Sequence, residues 1–530
     1  MTSTKSSPKP NEKASSKASK GKDAGEDSGT GRGFNLDRFF SREPLDFDLL
    51  SQLTHMGAIS TSGMSRVALF SGVSSLSYCT SKYFRQVHMV AQRLNYDYSH
   101  ACEVVADTVK QESVSNLLLH FATALSAGEP EEQFLSREAG LQLEIYSKEY
   151  SRNVESLQKW ADAYVALMVS AVLIVVISLV SMMIYPFSPI AVVGLAGLLV
   201  CVTFVGGWLI FTVAPLEVKT HSLKYRSPDQ VLASSLARFL LPLATIVGLG
   251  VGWMAGLPFA LIASGLIIAP IGYVAFRDDW KIDAYDRDIS SFIRALGGVM
   301  AAAGLTATDA LSRLNRRALG SLEPGVRRLY VRLQSSISPD LAWLRLAAET
   351  GSEMVTRTVR IFWDGIRVGG DTAKVAAYSS QLSLKISLER QDRKMVANTF
   401  GFVVLALHTV LIGILLFVTE VVQVFGAQLA DVQSEGFQSG VAAEAGVASA
   451  FLFTNPALTF IPVFIGTVAL MLTASNAFAP YAASGGNRLK LCLFGAVMMV
   501  ISGIVLITVP ALVQTIFEGI AIEPGPGLAP

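Results

Sequence analysis

The chain has 530 residues, of which 51% are hydrophobic and 16% charged, with a mean hydropathy of +0.45 and a formal net charge of +1. The apolar excess is gathered into uncharged runs of about 20 residues, the length a helix needs to cross a hydrocarbon core. A soluble enzyme is excluded on that ground, and the near-zero net charge gives no reason to expect a nucleic-acid partner. The four cysteines, Cys79, Cys102, Cys201 and Cys492, have no pairwise metal or redox spacing, and two fall inside apolar runs.

Residues 1–45 are rich in Ser, Gly and Lys and are expected to form a disordered cytosolic tail. No apolar core of a signal peptide opens the chain. Gly29-Thr30-Gly31-Arg32-Gly33 lacks the spacing and preceding strand of a phosphate loop, so a flexible tail is the better reading.

Residues 46–162 read as a first cytosolic helical module. Asp97 suits an N-cap ahead of Ala101, Val104 and Val105. Gly128-Glu129-Pro130-Glu131-Glu132 reads as one helix ending and another starting, since Pro and carboxylates both suit a first turn. The helix that follows carries an apolar stripe of Tyr146, Tyr150, Val154, Leu157, Ala161 and Tyr164, and it continues without a breaker into a span.

Seven spans are expected, at about 163–186, 189–214, 236–254, 257–276, 396–424, 457–479 and 490–515. Four of them make a membrane group over 163–276 and three make a second over 396–515. A second cytosolic helical module, residues 277–395, lies between the groups, and 516–530 form an external tail. Lys219, Lys224, Arg226, Arg238, Arg488 and Lys490 mark the loops of one side. Asp431, Glu435, Glu444, Glu518 and Glu523, without a single Lys or Arg, mark the other. The positive-inside bias then puts the N-terminus and both modules in the cytosol and the C-terminus outside. The fold class is all-α: a polytopic membrane protein with two duplicated helical bundles.

The duplication is read from a gapless alignment at an offset of 241 residues. It pairs Gly63 with Gly304, Val90 with Val331, Ala101 with Ala342, Glu112 with Glu353, Phe121 with Phe362 and Gly128 with Gly369. The candidate caps Asp97 and Ser338 also coincide. With its paired modules, the helix end Leu117–Gly128 and the counterpart running from Val359-Arg360-Ile361-Phe362 to Gly369-Gly370-Asp371, the chain resembles the archaellum (archaeal flagellum) assembly platform proteins. These lie within the type II secretion F and tight-adherence C superfamily, and the resemblance covers about residues 50–520. It implies a non-catalytic platform that binds a cytosolic hexameric secretion-type ATPase and supports filament subunits (archaellins or pilins), with no cofactor. The platform of an adhesion pilus or secretion system is the near alternative, and a secondary transporter or membrane sensor a remote one.

The second module carries 19 Lys or Arg against 14 Asp or Glu, while residues 60–160 of the first carry 9 against 11. Arg313, Arg316 and Arg317 share one helical face, with Arg327, Arg328 and Arg332 close by, and this cluster is the candidate dock for the ATPase, an acidic surface or lipid head groups. An ordinary solvated face is the plain alternative. Glu129, Glu131 and Glu132 are a secondary candidate contact, although helix-dipole complementarity already accounts for acids there. His408, ionisable within a span, suggests either a proton relay or simple packing, of which packing is favoured. Gly248-Leu249-Gly250-Val251-Gly252 suits close helix contact in a bundle or homodimer. No catalytic, metal or cofactor motif is present. Cysteines placed singly at Glu129 and Arg327 should be shielded from an impermeant maleimide outside intact cells, and one at Glu444 should react. Labelling of one module but not the other would overturn the topology.

Overall fold

The computed structural model describes residues 45–181, 189–215, 217–221, 223, 226–438 and 457–520. The expectations for the N-terminal tail, the turn around Pro186, Lys224, the outer loop with Glu444, and Glu523 lie outside those residues. So do the side chains of Asp431, Glu435 and Glu518. Among the described residues the secondary structure is helical apart from one isolated antiparallel bridge, Thr220 to Ser352.

The first module comprises α1 (Leu45–Ser60), α2 (Arg66–Ser74), α3 (Ser81–Arg93), α4 (Tyr98–Ala106), α5 (Glu112–Ser126) and the start of α6 (Glu131–Ser181). Then come α7 (Pro189–Val213), α8 (Pro228–Ala255) and α9 (Leu257–Ala303). The second module follows with α10 (Ala307–Arg313), a 3-10 turn (Arg316–Leu322), α11 (Glu323–Gln334), α12 (Pro339–Thr350), α13 (Glu353–Arg367) and α14 (Thr372–Gln438). A helix α15 (Ala457–Ser484), a 3-10 turn (Arg488–Lys490) and α16 (Leu491–Ile520) close the chain.

The 241-residue offset reproduces the backbone as well as the sequence pattern. It carries α5 onto α13 at both ends and the first residue of α6 onto the first of α14. Left-handed backbone recurs in the same register: Gly63 and Gly304 (φ 67° and 61°), Asn95 and Ser336 (54° and 57°), Gly128 and Gly369 (72° and 83°). A positive φ is uncommon away from glycine, so the Asn95–Ser336 pair is a shared constraint on the turn between the third and fourth helices of each module. Asp97 accepts from the Ser99 N–H at 3.2 Å, as a cap should, whereas Ser338 makes no side-chain cap bond and starts its helix with Pro339. In each module an aspartate on the opening helix takes a backbone N–H two residues ahead of the next long helix. Asp48 accepts from Cys79 at 2.7 Å, and Asp288 accepts from Ser321 at 2.7 Å.

The cores are separate but not independent. The first is organised by stacked aromatics, with Phe70 against Tyr98 at 4.6 Å and Phe121 against Phe134 at 4.8 Å between ring centroids. The second is built on Trp343, Phe362 and Trp363. Every residue of α1 from Phe47 to Ser60 is buried. Leu49, Leu53, Met56 and Ile59, spaced by helical turns, enter the first core, while Phe47, Leu50 and Ala58 enter the second. Sequence reading placed α1 at the edge of the first module and missed this shared role. Three of its polar residues, Asp48, Ser51 and His55, reach across the seam. Arg357 of α13 reaches Asp48 at 2.7 Å and Ser51 at 2.9 Å, its guanidinium lies over the Phe47 and Tyr78 rings, and His55 meets Asp364 at 3.2 Å.

Five described helices are long and apolar enough to cross a membrane: Glu131–Ser178, Pro228–Ala255, Leu257–Ala303, Thr372–Val424 and Arg488–Phe517. The chain is an all-α polytopic membrane protein. The other two expected spans coincide with α7, of which Gly197–Val213 forms a shorter apolar helix, and with α15. Helices α6, α9 and α14 are 51, 47 and 67 residues long. At about 1.5 Å per residue α14 measures about 100 Å, against a hydrocarbon core of about 30 Å, so one rigid element serves both compartments. The expected stripe on α6 is the packed one, with Tyr150, Val154, Leu157, Ala161 and Tyr164 all buried. The continuity of α9 from span into module was not anticipated. Gly248 and Gly252 face α9 while Gly250 meets open space, so the glycine run closes the α8–α9 hairpin.

Arg357 and Asp48 are 8% and 5% exposed at their side chains, so losing one partner leaves a buried charge uncompensated. Arg357→Met should destabilise the chain by about 3–5 kcal/mol. Asp48→Asn in the same background keeps an acceptor for Cys79 and should recover much of that, as read by denaturant unfolding in detergent.

Candidate functional site

Three long helices leave the apolar region side by side, and their charged residues meet where they do so. The run Glu389-Arg390-Gln391-Asp392-Arg393-Lys394 ends the polar part of α14 just ahead of its apolar stretch, and Arg277-Asp278-Asp279 begins the polar part of α9. Arg390 ion-pairs with Glu217 and with Asp286. Arg393 reaches Glu217 at 3.3 Å and also donates to the Pro215 and Ala483 carbonyls at 2.9 and 3.0 Å. Lys219 lies between Asp279, at 2.8 Å, and Asp283. Lys394 takes Asp283 at 2.8 Å, and Lys490 takes Asp279 at 2.9 Å. From α6, Ser147 and Ser151 donate to Glu389, and Tyr150 donates to Glu217 at 3.3 Å.

The segment between α7 and α8 is pinned into this seam by its backbone. Glu353 N–H donates to the Lys219 carbonyl at 3.0 Å, His221 N–H donates to Gly351 at 3.3 Å, and the His221 ring bonds the Ala348 carbonyl at 3.0 Å. A loop of the first membrane group thereby rests on the α12–α13 corner of the second module.

Burial and charge oppose each other in this cluster. Burial pushes Asp286 up to about 6, against the pull of Arg390. Burial would also raise Glu217, but Arg390, Arg393 and Lys219 together hold it below the ordinary carboxylate range. Burial works against the charge of Lys219, and Asp279 and Asp283 outweigh it. Withdrawing Arg390 leaves Asp286 without its ion pair and withdrawing Glu217 does the same to Arg393, both at low dielectric, so the cluster is a mechanical weld between α6, α9, α14, the 217–221 segment and the 485–490 turn. Among the described residues no group of three or more His, Cys, Asp or Glu is placed to hold a metal.

Deeper in the spans a second polar chain runs across four helices. Tyr164 donates to Asn476 Oδ1 at 2.7 Å, so the amide nitrogen of Asn476 is turned to His408 Nδ1, 2.9 Å away. His408 Nε2 therefore carries the proton and donates to Ser502 at 2.9 Å, which meets Thr473 at 2.8 Å. This accords with packing: a neutral histidine with both ring nitrogens engaged ties α6 and α14 to α15 and α16.

The residues singled out from sequence fall elsewhere. Arg313 closes α10, Arg317 sits in the 3-10 turn and Arg327 on α11; all three are exposed and have no ion pair among the described residues. Arg328 and Arg332 are drawn to one carboxylate, Glu349, the first at 2.8 Å. The Arg316 side chain lies outside the described residues. In the acidic turn Glu129 holds Arg137 at 2.6 and 3.1 Å, Glu131 pairs with Arg66, and Glu132 takes Lys374 of the second module at 2.5 Å. None of the three meets the arginine cluster. The weld was missed in sequence because its charges read as ordinary flanks of apolar spans. The clue was four aspartates, 278, 279, 283 and 286, recurring at helical spacing directly after a span.

Comparison with curated proteins gives two matches named flagella accessory protein J. The one from Methanocaldococcus jannaschii is 24% identical over 344 residues, covering 62% of this chain and 60% of the relative. The one from Methanococcus voltae is 20% identical over 349 residues, covering 61% and 60%. The chain is homologous to these proteins, as the resemblance read from its paired modules implied, and the matched region spans 60% of their length. No family model matches, and no solved structure matches significantly.

For Asp286 the folded value lies above the ordinary 3.8. Its stabilising contribution is therefore full below about pH 4 and lost as the pH rises through about 6. Asp286→Asn fixes the neutral form, so wild type should lose stability relative to it across that window, with a level difference above about pH 7. Unfolding in detergent over this range checks the sign, and a difference that never varies with pH would refute it.

Proposed function

We propose that this chain is a non-catalytic membrane platform of an archaellum (archaeal flagellum) assembly machine, coupling a cytosolic hexameric ATPase to filament subunits, with both modules in the cytosol and the C-terminus outside. One observation carries the reading. Two duplicated helical bodies share α1 and sit on three helices that enter the membrane without interruption, welded together by buried ion pairs at the point of entry. A displacement applied to such bodies travels along α6 and α14, which hold neither Pro nor paired Gly, since a helix bends sharply only at such breakers or at a bulge; α9, which holds Pro270, is the third attachment. Similarity to two proteins named flagella accessory protein J supports the filament context. The name of those relatives favours the archaellum over the adhesion-pilus or secretion alternative. A transporter is not favoured, because His408 at mid-span is engaged by neutral partners. The homodimer remains part of the proposal on composition alone.

The exposed guanidiniums Arg313, Arg317 and Arg327 are the part of the basic cluster left for an acidic partner surface, where charge complementarity steers docking. The test uses the full chain returned to a host lacking it. Arg313→Glu, Arg317→Glu and Arg327→Glu together should abolish co-purification of the hexameric ATPase and stop filament growth while leaving the chain in the membrane. A Pro-Gly insertion after Lys159 should keep the ATPase bound but still stop growth. Wild-type filaments from both variants would sink the coupling.

A further inference from the structure

The faces of α9 and α14 part beside the weld to leave a cleft of about 300 Å³, with Trp280, Asp283 and Arg287 on one wall and Arg390, Lys394 and Met395 on the other. A smaller hollow of about 50 Å³ adjoins it, sharing Trp280 and Lys394 and adding Phe276 and Phe494. We propose that this cleft is a head-group site for an anionic phospholipid, the phosphate held by Arg390, Arg287 and Lys394 and the acyl chains laid against Trp280, Met395 and Phe276.

Three features carry the proposal. Arg390 is 9% exposed, yet its Nη2 has no hydrogen-bond partner among the described residues, although the other guanidinium nitrogens face Glu217 and Asp286. A buried donor without an acceptor costs about 1–3 kcal/mol, and a small turn of the guanidinium toward an anion in the cleft would remove that cost. The two lining carboxylates are already engaged, Asp283 by Lys219 and Lys394, Asp286 by Arg390 and Ser352. Arg287 is exposed and outside any ion pair among the described residues, so the three cations exceed the two acids by one. That surplus selects an anion over a cation.

The third feature separates a lipid from a soluble phosphate. The cleft has a charged end and an apolar end, and the apolar side chains are left uncovered: Met395 is 66% exposed and Trp280 is 60% exposed. They stand at the level where the α9 and α14 spans begin, the depth at which aromatic side chains gather at a bilayer boundary. A free phosphate would gain nothing from them. A phospholipid would cover them and satisfy Arg390 in the same step, filling the gap between the two helices.

The test is native mass spectrometry on the full chain in mild detergent, titrated with phosphatidylglycerol or phosphatidylcholine. Phosphatidylglycerol should bind at least about tenfold more tightly, and Arg287→Gln with Lys394→Gln should remove that preference, the scale expected for losing charge-assisted contacts to phosphate. Arg287→Gln alone, at an exposed position, should weaken binding without altering unfolding in lipid-free detergent, and it keeps the test sound if the double variant misfolds. Lys110→Gln, at an exposed position of the first module outside the cleft lining, should change nothing. Equal binding of the two lipids, or undiminished phosphatidylglycerol binding by both cleft variants, overturns the proposal. Displacement of the lipid by millimolar inorganic phosphate would do the same, assigning the cleft to a soluble anion.

Discussion

A guanidinium between two carboxylates, Arg390 against Glu217 and Asp286, sets the geometry of the molecule where the apolar spans give way to the polar modules. Charges this deep are costly, and each is tolerated only because its neighbours are in place. The arrangement therefore acts as a constraint more than as a source of stability. It fixes how far α9 and α14 stand apart, and it draws in α6 through Ser147, Ser151 and Tyr150. Apolar packing of similar volume could be more stable, but it would slide. Paired charges with defined partners do not.

The same logic operates between the two modules through α1. A helix buried on every side belongs to neither module alone, and its faces divide between two cores that a duplication would otherwise have left as separate domains. Arg357, reaching from α13 to Asp48 and lying over two aromatic rings, makes that sharing specific. Glu132 with Lys374 adds a second link across the same divide. Shared burial and cross-module ion pairs turn two repeats into one body, the condition for a force on either to be felt by both sets of spans.

The repeat itself has diverged in charge but not in backbone. The left-handed residues and the later helix starts recur in register, and an aspartate-held turn recurs within one residue of it, because each turn admits few conformations and a change there would disturb the whole module. Surface charge carries no such restriction. The second module gained its arginines, two of which settle on Glu349 while others remain exposed. Duplicated backbone thus carries unequal surfaces.

Local pattern was legible in the chain: the apolar runs, the stripe on α6, the offset of 241 and the helix stop at Gly128 all depend on residues close together in sequence. Period and turn chemistry act over a few residues, so they can be read without a fold. Pairings between residues 68 or more positions apart could not be read that way. The charges at 217, 286 and 390 look like ordinary span flanks until three helices bring them together, and Asp48 has no visible reason to await Arg357. Likewise Asn476 and Ser502 are unremarkable polar residues until His408 stands between them. By itself the sequence determined which segments are helices, which are apolar and that one unit occurs twice. Only tertiary structure decided which buried charge answers which, because at low dielectric an ion's partner is chosen by distance in space, not along the chain.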